Sequence, residues 1–179
     1  VFVDDRKRGE LRIFTPDVEL PLAGHPLVGA AWLLRREGAT VDLVRPPAGE
    51  VPVRIEADLV HIAADPDWGP PFELEELGAA REVDEAEPSA AQNRMIWAWL
   101  HEPDGLIRAR VFVPEGGIAE DEATGSAALR LAAAVGRPIE IRQGRGSVLY
   151  ARPLAPGLAE VGGRVELEEV RSYRVEGAS

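Results

Sequence analysis

One short stretch of sequence occurs twice in this chain of 179 residues, and the repeat limits the folds that the chain can adopt. Arg12–Pro16 reads Arg-Ile-Phe-Thr-Pro, and Arg110–Pro114 reads Arg-Val-Phe-Val-Pro. Each copy continues through small, turn-forming residues into an apolar stretch that predicts a helix, over Leu27–Arg36 in the first copy and Ala127–Val135 in the second. A duplicated strand, loop and helix predicts two similar lobes with a ligand site between them.

The residues just before the two predicted helices favour binding of an anion. They read Gly24-His25-Pro26 in the first copy and Thr124-Gly125-Ser126 in the second. The first N–H groups of a helix have no partner within the helix and carry partial positive charge. Gly24 and Gly125 lack a Cβ, so a ligand can approach the backbone closely. At a single site such residues are usually only helix caps, but two sites of the same design favour a shared cleft.

The charge of the chain argues against a nucleic-acid partner. The sequence contains 31 acidic and 20 basic residues, which gives a net charge of −11, and Lys7 is its one lysine. Nucleic-acid binding requires a basic surface that neutralises phosphates, and the sequence offers none. No apolar run approaches the length of a membrane span, and the N-terminus has no basic segment followed by an apolar one. We therefore expect no membrane segment and a cytoplasmic location.

The composition also limits the chemistry available to the chain. It has no cysteine, which excludes disulfides, thiolate nucleophiles and thiolate metal ligands. The three histidines, His25, His61 and His101, are too widely spaced to form a recognisable metal motif. Glycine-rich phosphate-binding loops are absent from the sequence as well. We expect neither a metal nor a cofactor.

Hydrophobic periodicity places several strands around one Ala-rich helix in each half of the chain. We place the first lobe at residues 1–71 and the second at 72–179, with 65–71 as the connection. Residues 72–87 predict a short surface helix. The turn at Glu102–Gly105 predicts a β-hairpin. The predicted strands are Glu10–Thr15, Val41–Val44, Val51–Ile55, Leu59–Ala63, Met95–Leu100, Leu106–Val113, Ile139–Arg142, Gly146–Arg152 and Val165–Leu167.

Two longer motifs carry a resemblance to a known family. The run Arg12–Pro26 and the run Glu120–Ala127, which reads Glu-Asp-Glu-Ala-Thr-Gly-Ser-Ala, resemble the signatures of the phenazine-biosynthesis PhzF-like family. The resemblance implies the α+β fold of diaminopimelate epimerase, in which two pseudo-symmetric lobes each wrap a curved mixed sheet around a central helix. It also implies a homodimer and a cofactor-independent isomerase, which shifts a hydrogen on a dihydro-hydroxyanthranilate.

The same resemblance implies a set of site residues between the lobes. His25 and Asp121 would act as catalytic residues, and Gly24, His25, Gly125 and Ser126 would bind the carboxylate of a small anionic metabolite. His25 is also a candidate general base by residue type, because imidazole titrates near neutral pH. The amino-acid epimerases of this fold use a cysteine pair, so a chain without cysteine cannot run their reaction.

The sequence departs from the family pattern at two places. Glu122 replaces the usual proline after Asp121, which either loosens this loop or adds a second carboxylate beside Asp121. Family members also carry a catalytic glutamate in a Ser-Glu-Thr motif, and Val1-Phe2-Val3 resembles the residues just after it. The matching glutamate is absent from this chain, and we expect an N-terminally incomplete version of a longer protein, with a naturally short homologue as the alternative. A non-catalytic carboxylate-binding protein and a dimeric interaction module therefore stay open as alternatives.

Other polar and aromatic residues have simpler explanations. Glu19 lies inside the first motif but is better explained as a solvated or loop-bonding carboxylate than as an acid. Another group of candidates for binding an anion consists of Arg142, Arg145 and Arg152. The simpler interpretation is that they are solvent-exposed side chains of a hairpin. Tryptophans in apolar strands and helices belong to the core more often than to a pocket, and the four here are Trp32, Trp68, Trp97 and Trp99.

Overall fold

The computed structural model of the chain describes residues 1–15, 18–88 and 91–172. Pro16, which ends the first repeated segment, lies outside the described residues. The helices are α1 (Gly24–Arg36), α2 (Ala80–Glu85) and α3 (Gly125–Val135), with 3₁₀ turns at Pro66–Trp68 and Pro114–Gly116. The strands are β1 (Phe2–Asp5), β2 (Glu10–Phe14), β3 (Glu19–Leu20), β4 (Leu43–Val44), β5 (Val51–Glu56), β6 (Leu59–Ala64), β7 (Glu73–Glu76), β8 (Arg94–His101), β9 (Leu106–Val113), β10 (Ile118–Asp121), β11 (Ile139–Gln143), β12 (Ser147–Ala155) and β13 (Leu158–Arg164).

The repeated sequence segments form β2 and β9, and their surroundings match closely. β2 pairs with β1 and β3 on its two sides, as β9 pairs with β8 and β10. Arg12 forms a two-bond pair with Glu19 and lies 4.8 Å above the Phe14 ring. Arg110 forms the same pair with Glu120 and lies 5.1 Å above the Phe112 ring. The duplication read from the sequence is therefore a structural one.

The two copies differ in what covers the aromatic ring. Phe112 is fully buried against Val83 of α2 and Ile96 of β8. Its counterpart Phe14 is 41% exposed and contacts Phe2, which is itself 64% exposed. The second copy thus has a short helix over a face that the described part of the first copy leaves open to solvent.

The remaining strands form one large mixed sheet. Its order is β4-β5-β6-β13-β12-β11-β9-β8-β7, and β10 adds to β9. β7 runs parallel to β8, and β11 runs parallel to β9, while the other pairs are antiparallel. Few helices and large mixed sheets confirm the predicted α+β class. Since β13 pairs with β6 along its whole length, the sheet continues from one half of the chain into the other. The domain boundary at residue 71 stays a prediction.

The central helices lie against this sheet because they are apolar. α3 buries seven small or apolar residues at its start and middle, interrupted only by the half-buried Arg130, and it packs on β12 and β13. α1 buries one face, which includes Leu27, Ala31 and Leu34, against β6 and β13. Both helices begin earlier than the apolar periodicity indicated, at Gly24 and Gly125, because the small residues of the two motifs already form the first turn.

Two local predictions were wrong. The segment 72–87 is not one surface helix, because residues 73–76 pair with β8 as a parallel edge strand and only Ala80–Glu85 is helical. Leu74 packs against the main core, whereas Glu73 and Glu76 at the two ends of the strand are exposed. The last strand covers 158–164 and not 165–167; its two consecutive glycines hid the alternation of Ala159 and Val161.

Candidate active site between two helix ends

The N-termini of α1 and α3 meet at one point. A Cβ built on Gly24 would lie 2.5 Å from the Cα of Gly125, and one built on Gly125 would lie 2.6 Å from the Cα of Gly24. No side chain other than hydrogen fits at either position. The close approach brings the free N–H groups and the partial positive charges of both helices to the same place, as the sequence predicted.

A cavity of about 360 Å³ opens at these helix ends. It contains Gly24, His25, Asp121, Gly125 and Ser126 in its wall, so the structure brings together every residue of the predicted site. Strands and loops of both halves of the chain complete it. The further lining residues are Ile13, Phe14, Thr15, Val18, Leu20, Ala23, Pro26, Pro70, Phe72, Asn93, Val113, Glu115, Gly116, Ile118 and Thr124. The site is thus largely apolar, with polar groups concentrated at the helix ends and at Asn93 and Glu115.

His25 is held by the loop that precedes α3. Its Nδ1 lies 2.6 Å from the carbonyl oxygen of Ala123. A carbonyl oxygen can only accept a hydrogen bond, so Nδ1 must carry a proton. In the neutral imidazole the other nitrogen, Nε2, is then the one with a free lone pair. The contact crosses from one lobe to the other and orients the ring.

A network of hydrogen bonds fixes the loop that carries Asp121. One carboxylate oxygen accepts from the Thr124 hydroxyl at 2.8 Å, and the other accepts from the Ala123 N–H at 3.3 Å. Gln143 is fully buried beneath the loop. Its amide nitrogen Nε2 donates to the Asp121 carbonyl and to the Thr124 hydroxyl, and its Oε1 accepts from the Thr124 N–H. The Thr124 side chain does not cap α3, because its hydroxyl donates to Asp121 instead.

The unusual Glu122 points away from the cavity. Its carboxylate accepts from the backbone N–H of Arg145 at 2.7 Å and from the Arg145 guanidinium at 2.9 Å. The backbone hydrogen bond, helped by the guanidinium, holds the pKa of Glu122 below its ordinary value. Glu122 therefore ties the Asp121 loop to the hairpin between β11 and β12, which is the opposite of the looser loop considered from the sequence.

Several residues singled out in the sequence lie elsewhere. Glu19 is bound to Arg12 and does not line the cavity. The three candidate arginines are paired with carboxylates outside it, Arg142 with Glu140, Arg145 with Glu122 and Arg152 with Glu160. None of the four tryptophans lines it either. Trp97 is 6% exposed and packs edge-on against Trp99, which supports the interpretation of these two as core residues, whereas Trp68 is 36% exposed and the interpretation was wrong for it.

No motif in the sequence indicated the polar wall that Asn93 and Glu115 form in the cavity. Asn93 is 4% exposed, and its Nδ2 donates to Glu115 at 2.9 Å. Both residues lie next to strands of the predicted hairpin: Asn93 immediately precedes β8, and Glu115 lies in the 3₁₀ turn that follows β9. The one signal in the sequence was a lone asparagine beside an apolar strand, which is too weak to indicate a site.

Within residues 1–15, 18–88 and 91–172, no three His, Asp or Glu side chains converge as a metal site would require. No helix within those ranges is both long and apolar enough to cross a bilayer.

Comparison with known proteins gives a consistent result. Residues 1–99 match the family described as phenazine biosynthesis-like protein. The trans-2,3-dihydro-3-hydroxyanthranilate isomerase of Pseudomonas fluorescens is 31% identical over 210 aligned residues, which cover 88% of this chain and 74% of that protein. A short match, 64% identical over 28 residues, is to an uncharacterised isomerase of Pasteurella multocida and covers 16% of this chain and 10% of that protein.

Solved structures show the same fold. The crystal structure of a phenazine biosynthesis PhzC/PhzF protein from Clostridium difficile superposes with a TM-score of 0.74 at 20% identity, covering 96% of this chain and 81% of that one. The family match spans more than half of this chain, and the alignment with the Pseudomonas fluorescens isomerase covers 88% of it. The chain is therefore a member of the phenazine biosynthesis-like, PhzC-PhzF, family.

Proposed function

We propose that this protein is an isomerase that moves a proton within a small carboxylate-bearing metabolite bound in the cavity between the two helix ends. The observation that carries the proposal is the direct contact of Gly24 with Gly125 at the wall of that cavity. The naming of two relatives as isomerases supports the reaction class. A binding protein of the same fold is the competing function.

The helix ends supply the binding of the carboxylate. Free N–H groups of the first turns of α1 and α3 donate to its oxygens, and the two helix dipoles stabilise its negative charge. Ser126, which is 5% exposed in the first turn of α3, adds a hydroxyl donor. Binding at this fixed point positions the remainder of the metabolite against the apolar wall.

His25 and Asp121 are the proposed proton carriers. A base removes a proton from a carbon next to an electron-withdrawing group, and the protonated carrier returns a proton to another carbon of the same molecule. Nε2 of His25 can take up the first proton, because Nδ1 already donates to Ala123. Asp121 lies in the same wall and is held by Thr124. The donors at the helix ends stabilise negative charge that develops while the proton is in transit.

Exchange with solvent deuterium tests the reaction. Trans-2,3-dihydro-3-hydroxyanthranilate, the compound in the name of the Pseudomonas relative, is incubated with the protein in heavy water. We expect isomerised product with deuterium at the carbon that receives the proton, detected by NMR and mass spectrometry. Replacing either carrier, by His25→Asn or Asp121→Asn, should lower the rate by about a hundredfold or more.

His101→Asn is the matched control, because His101 is an exposed histidine outside the cavity whose ring pairs with Asp104. Its activity should equal that of the unmodified protein. Binding of the compound without product or deuterium uptake would instead favour the non-catalytic binding protein. If the His25 and Asp121 variants were each as active as the unmodified protein, both residues would be excluded as proton carriers.

A further inference from the structure

The short helix α2 covers one face of the second copy of the repeat. Val83 of α2 is fully buried against Phe112 of β9 and Ile96 of β8. Arg110 lies on the same face of β9, and its Nη1 donates to carbonyl oxygens at the C-terminal end of α2. These carbonyls belong to Val83, Asp84 and Ala86, at 3.3, 3.2 and 2.8 Å. Carbonyl groups at a helix end have no partner within the helix, so the arginine caps α2 while the valine makes the apolar contact.

The first copy presents the same face to solvent. Phe2 opposes Arg12 across β1 and β2, as Ile96 opposes Arg110 across β8 and β9. Phe14 lies two positions after Arg12 and contacts Phe2 edge-on. The two rings are 64% and 41% exposed, whereas their counterparts in the second copy are fully buried. Two large aromatic side chains in mutual contact form a continuous apolar patch, which is typical of a surface that binds another protein.

Arg12 also has a hydrogen-bond donor to offer at this face. Its Nε and Nη2 donate to Glu19, as the same two nitrogens of Arg110 donate to Glu120. Nη1, the nitrogen with which Arg110 caps α2, forms no hydrogen bond from Arg12 to any residue that the structure describes. The Arg12 side chain is 52% exposed, so the end of a helix can reach it.

The two faces carry opposite charge at one corner. Arg108 pairs with Asp84 of α2 at 2.7 Å. The equivalent position in the first copy, two residues before Arg12, is occupied by Glu10. Glu10 contacts Arg8, whose side chain is 69% exposed. A helix on the first face therefore needs a basic side chain where α2 has Asp84, because a carboxylate there would face Glu10.

We propose that the face formed by Phe2, Arg12 and Phe14, with Glu10 at its edge, binds a short helix of a partner polypeptide. Arg12 caps the carbonyl groups of the last turn of that helix. An aliphatic side chain of the helix packs on the two phenylalanine rings, and a basic side chain pairs with Glu10. Phe14 also lines the cavity between the two helix ends, so the bound helix lies beside the candidate active site.

Peptides derived from α2 test the proposal by fluorescence anisotropy. The probe has the sequence of residues 77–88 with the change Asp84→Arg. A lactam between Arg81→Lys and Glu85 replaces an exposed ion pair and holds the peptide helical, because so short a helix is marginal in water. We expect saturable binding to the unmodified protein. The same peptide with Val83→Asp should bind about tenfold more weakly, because it lacks the aliphatic contact.

Substitutions in the protein locate the bound peptide. Phe2→Asp should weaken binding about tenfold, and this residue does not line the cavity. Glu10→Lys should reverse the charge preference, so that the lactam peptide with the original Asp84 binds more tightly than the Asp84→Arg peptide. Leu100→Asp is the matched control, since it places the same charge on a leucine of β8 that is 45% exposed, and its affinity should be unchanged. Circular dichroism checks that each variant is folded.

Three outcomes would overturn the proposal. The first is failure of the lactam peptide to bind the unmodified protein. The second is undiminished binding to Phe2→Asp, or to Phe2→Ser if the aspartate variant does not fold. The third is self-association of the unmodified protein in analytical ultracentrifugation that Phe2→Asp abolishes, since the face would then be covered by another molecule of this chain. A Glu10→Lys variant that keeps the original charge preference would contradict the predicted basic side chain of the partner.

Discussion

At the scale of single residues, the glycines at the two helix starts allow the helix ends to meet at the candidate site. The sequence suggested that Gly24 and Gly125 leave room for a ligand. The structure shows a second reason for them, because each glycine also leaves room for the other helix, and a Cβ on either would fall within 2.6 Å of the opposite Cα. The motif therefore identified the right positions, but only half of their physical role.

Gly125→Ala tests this contact. The added Cβ would collide with backbone atoms of Gly24 that cannot move without shifting α1, so we expect the free energy of unfolding to fall by about 1–3 kcal/mol. Gly29→Ala is the control, because a Cβ on Gly29, inside α1, would meet no atom within 4 Å. That change should stabilise the helix by roughly 0.5–1 kcal/mol. Urea unfolding measures the free energy of unfolding of both variants. If Gly125→Ala and Gly29→Ala changed it by the same amount, the predicted contact would be refuted.

His25 shows what residue type can and cannot indicate. Its position beside a helix start and its chemistry were enough to make it a candidate. Which of its nitrogens is free depends on the Ala123 carbonyl, which lies 98 positions away in the sequence. Backbone carbonyls occur at every position, so no sequence pattern could have identified this partner.

At the scale of elements, the loop between β10 and α3 is clamped from two directions. Gln143 of β11 binds it from the buried side, and Glu122 fastens it to the next hairpin from the exposed side. The second motif located this loop correctly, but it suggested an effect of Glu122 on Asp121 alone. Its real partner, Arg145, is brought near by the pairing of β11 with β12.

Gln143→Leu should loosen this loop without removing a group that contacts the metabolite. It deletes three hydrogen bonds to Asp121 and Thr124 and leaves their backbone groups buried, so we expect a loss of about 1–3 kcal/mol in stability. Amide hydrogen exchange should accelerate at residues 121–126 more than in α1. Gln92→Leu, at an exposed amide, should change neither quantity. Unchanged exchange in the Gln143 variant would contradict the clamp.

For the segment 72–87, the local sequence pattern predicted a helix where the structure has a strand followed by a short helix. A run of Glu and Leu residues favours a helix when considered alone. Pairing with β8 satisfies the backbone groups of residues 73–76 instead, and Leu74 gains burial against the core. This tertiary contact outweighs a weak local preference.

At the scale of the whole molecule, β13 connects the two halves of the chain. It pairs with β6 on one side and β12 on the other. On the outer face of this junction Glu160 accepts hydrogen bonds from Arg54 of β5 and Arg152 of β12, and it lies beside buried His61. Burial raises the pKa of Glu160, but the two guanidinium groups outweigh it and hold the pKa at about 2.

This charge cluster predicts a particular loss of stability in acid. The pKa of Glu160 is lower in the folded chain than its ordinary value of 4.5, so its contribution is present above about pH 4.5 and is lost as the pH falls towards 2. The expected contribution is about 3 kcal/mol. Burial also lowers the pKa of His61 below 6.5. His61 therefore binds a proton more readily in the unfolded chain, and this contribution to stability begins to be lost as the pH falls below 6.5, before that of Glu160.

Glu160→Gln is the variant that checks this prediction. It should be less stable near pH 7 and should show a smaller further loss between pH 4.5 and 2, measured by urea unfolding at each pH. The His61 contribution below pH 6.5 should remain in both proteins. Glu76→Gln, at an exposed edge-strand carboxylate, should follow the unmodified profile. Identical acid profiles for Glu160→Gln and the unmodified protein would disprove the role of the cluster.

The sequence by itself determined the duplication, the α+β class and the family, because each of these is recorded in local motifs and periodicity. It also named the five residues that line one cavity, whose roles stay a prediction. The homodimer and the cytoplasmic location stay predictions. Only the tertiary structure decided that the two glycines touch, that Ala123 orients His25, that Asn93 faces the cavity and that β13 joins the halves. These features depend on contacts between residues far apart in the chain, and no local pattern records which distant surfaces will meet.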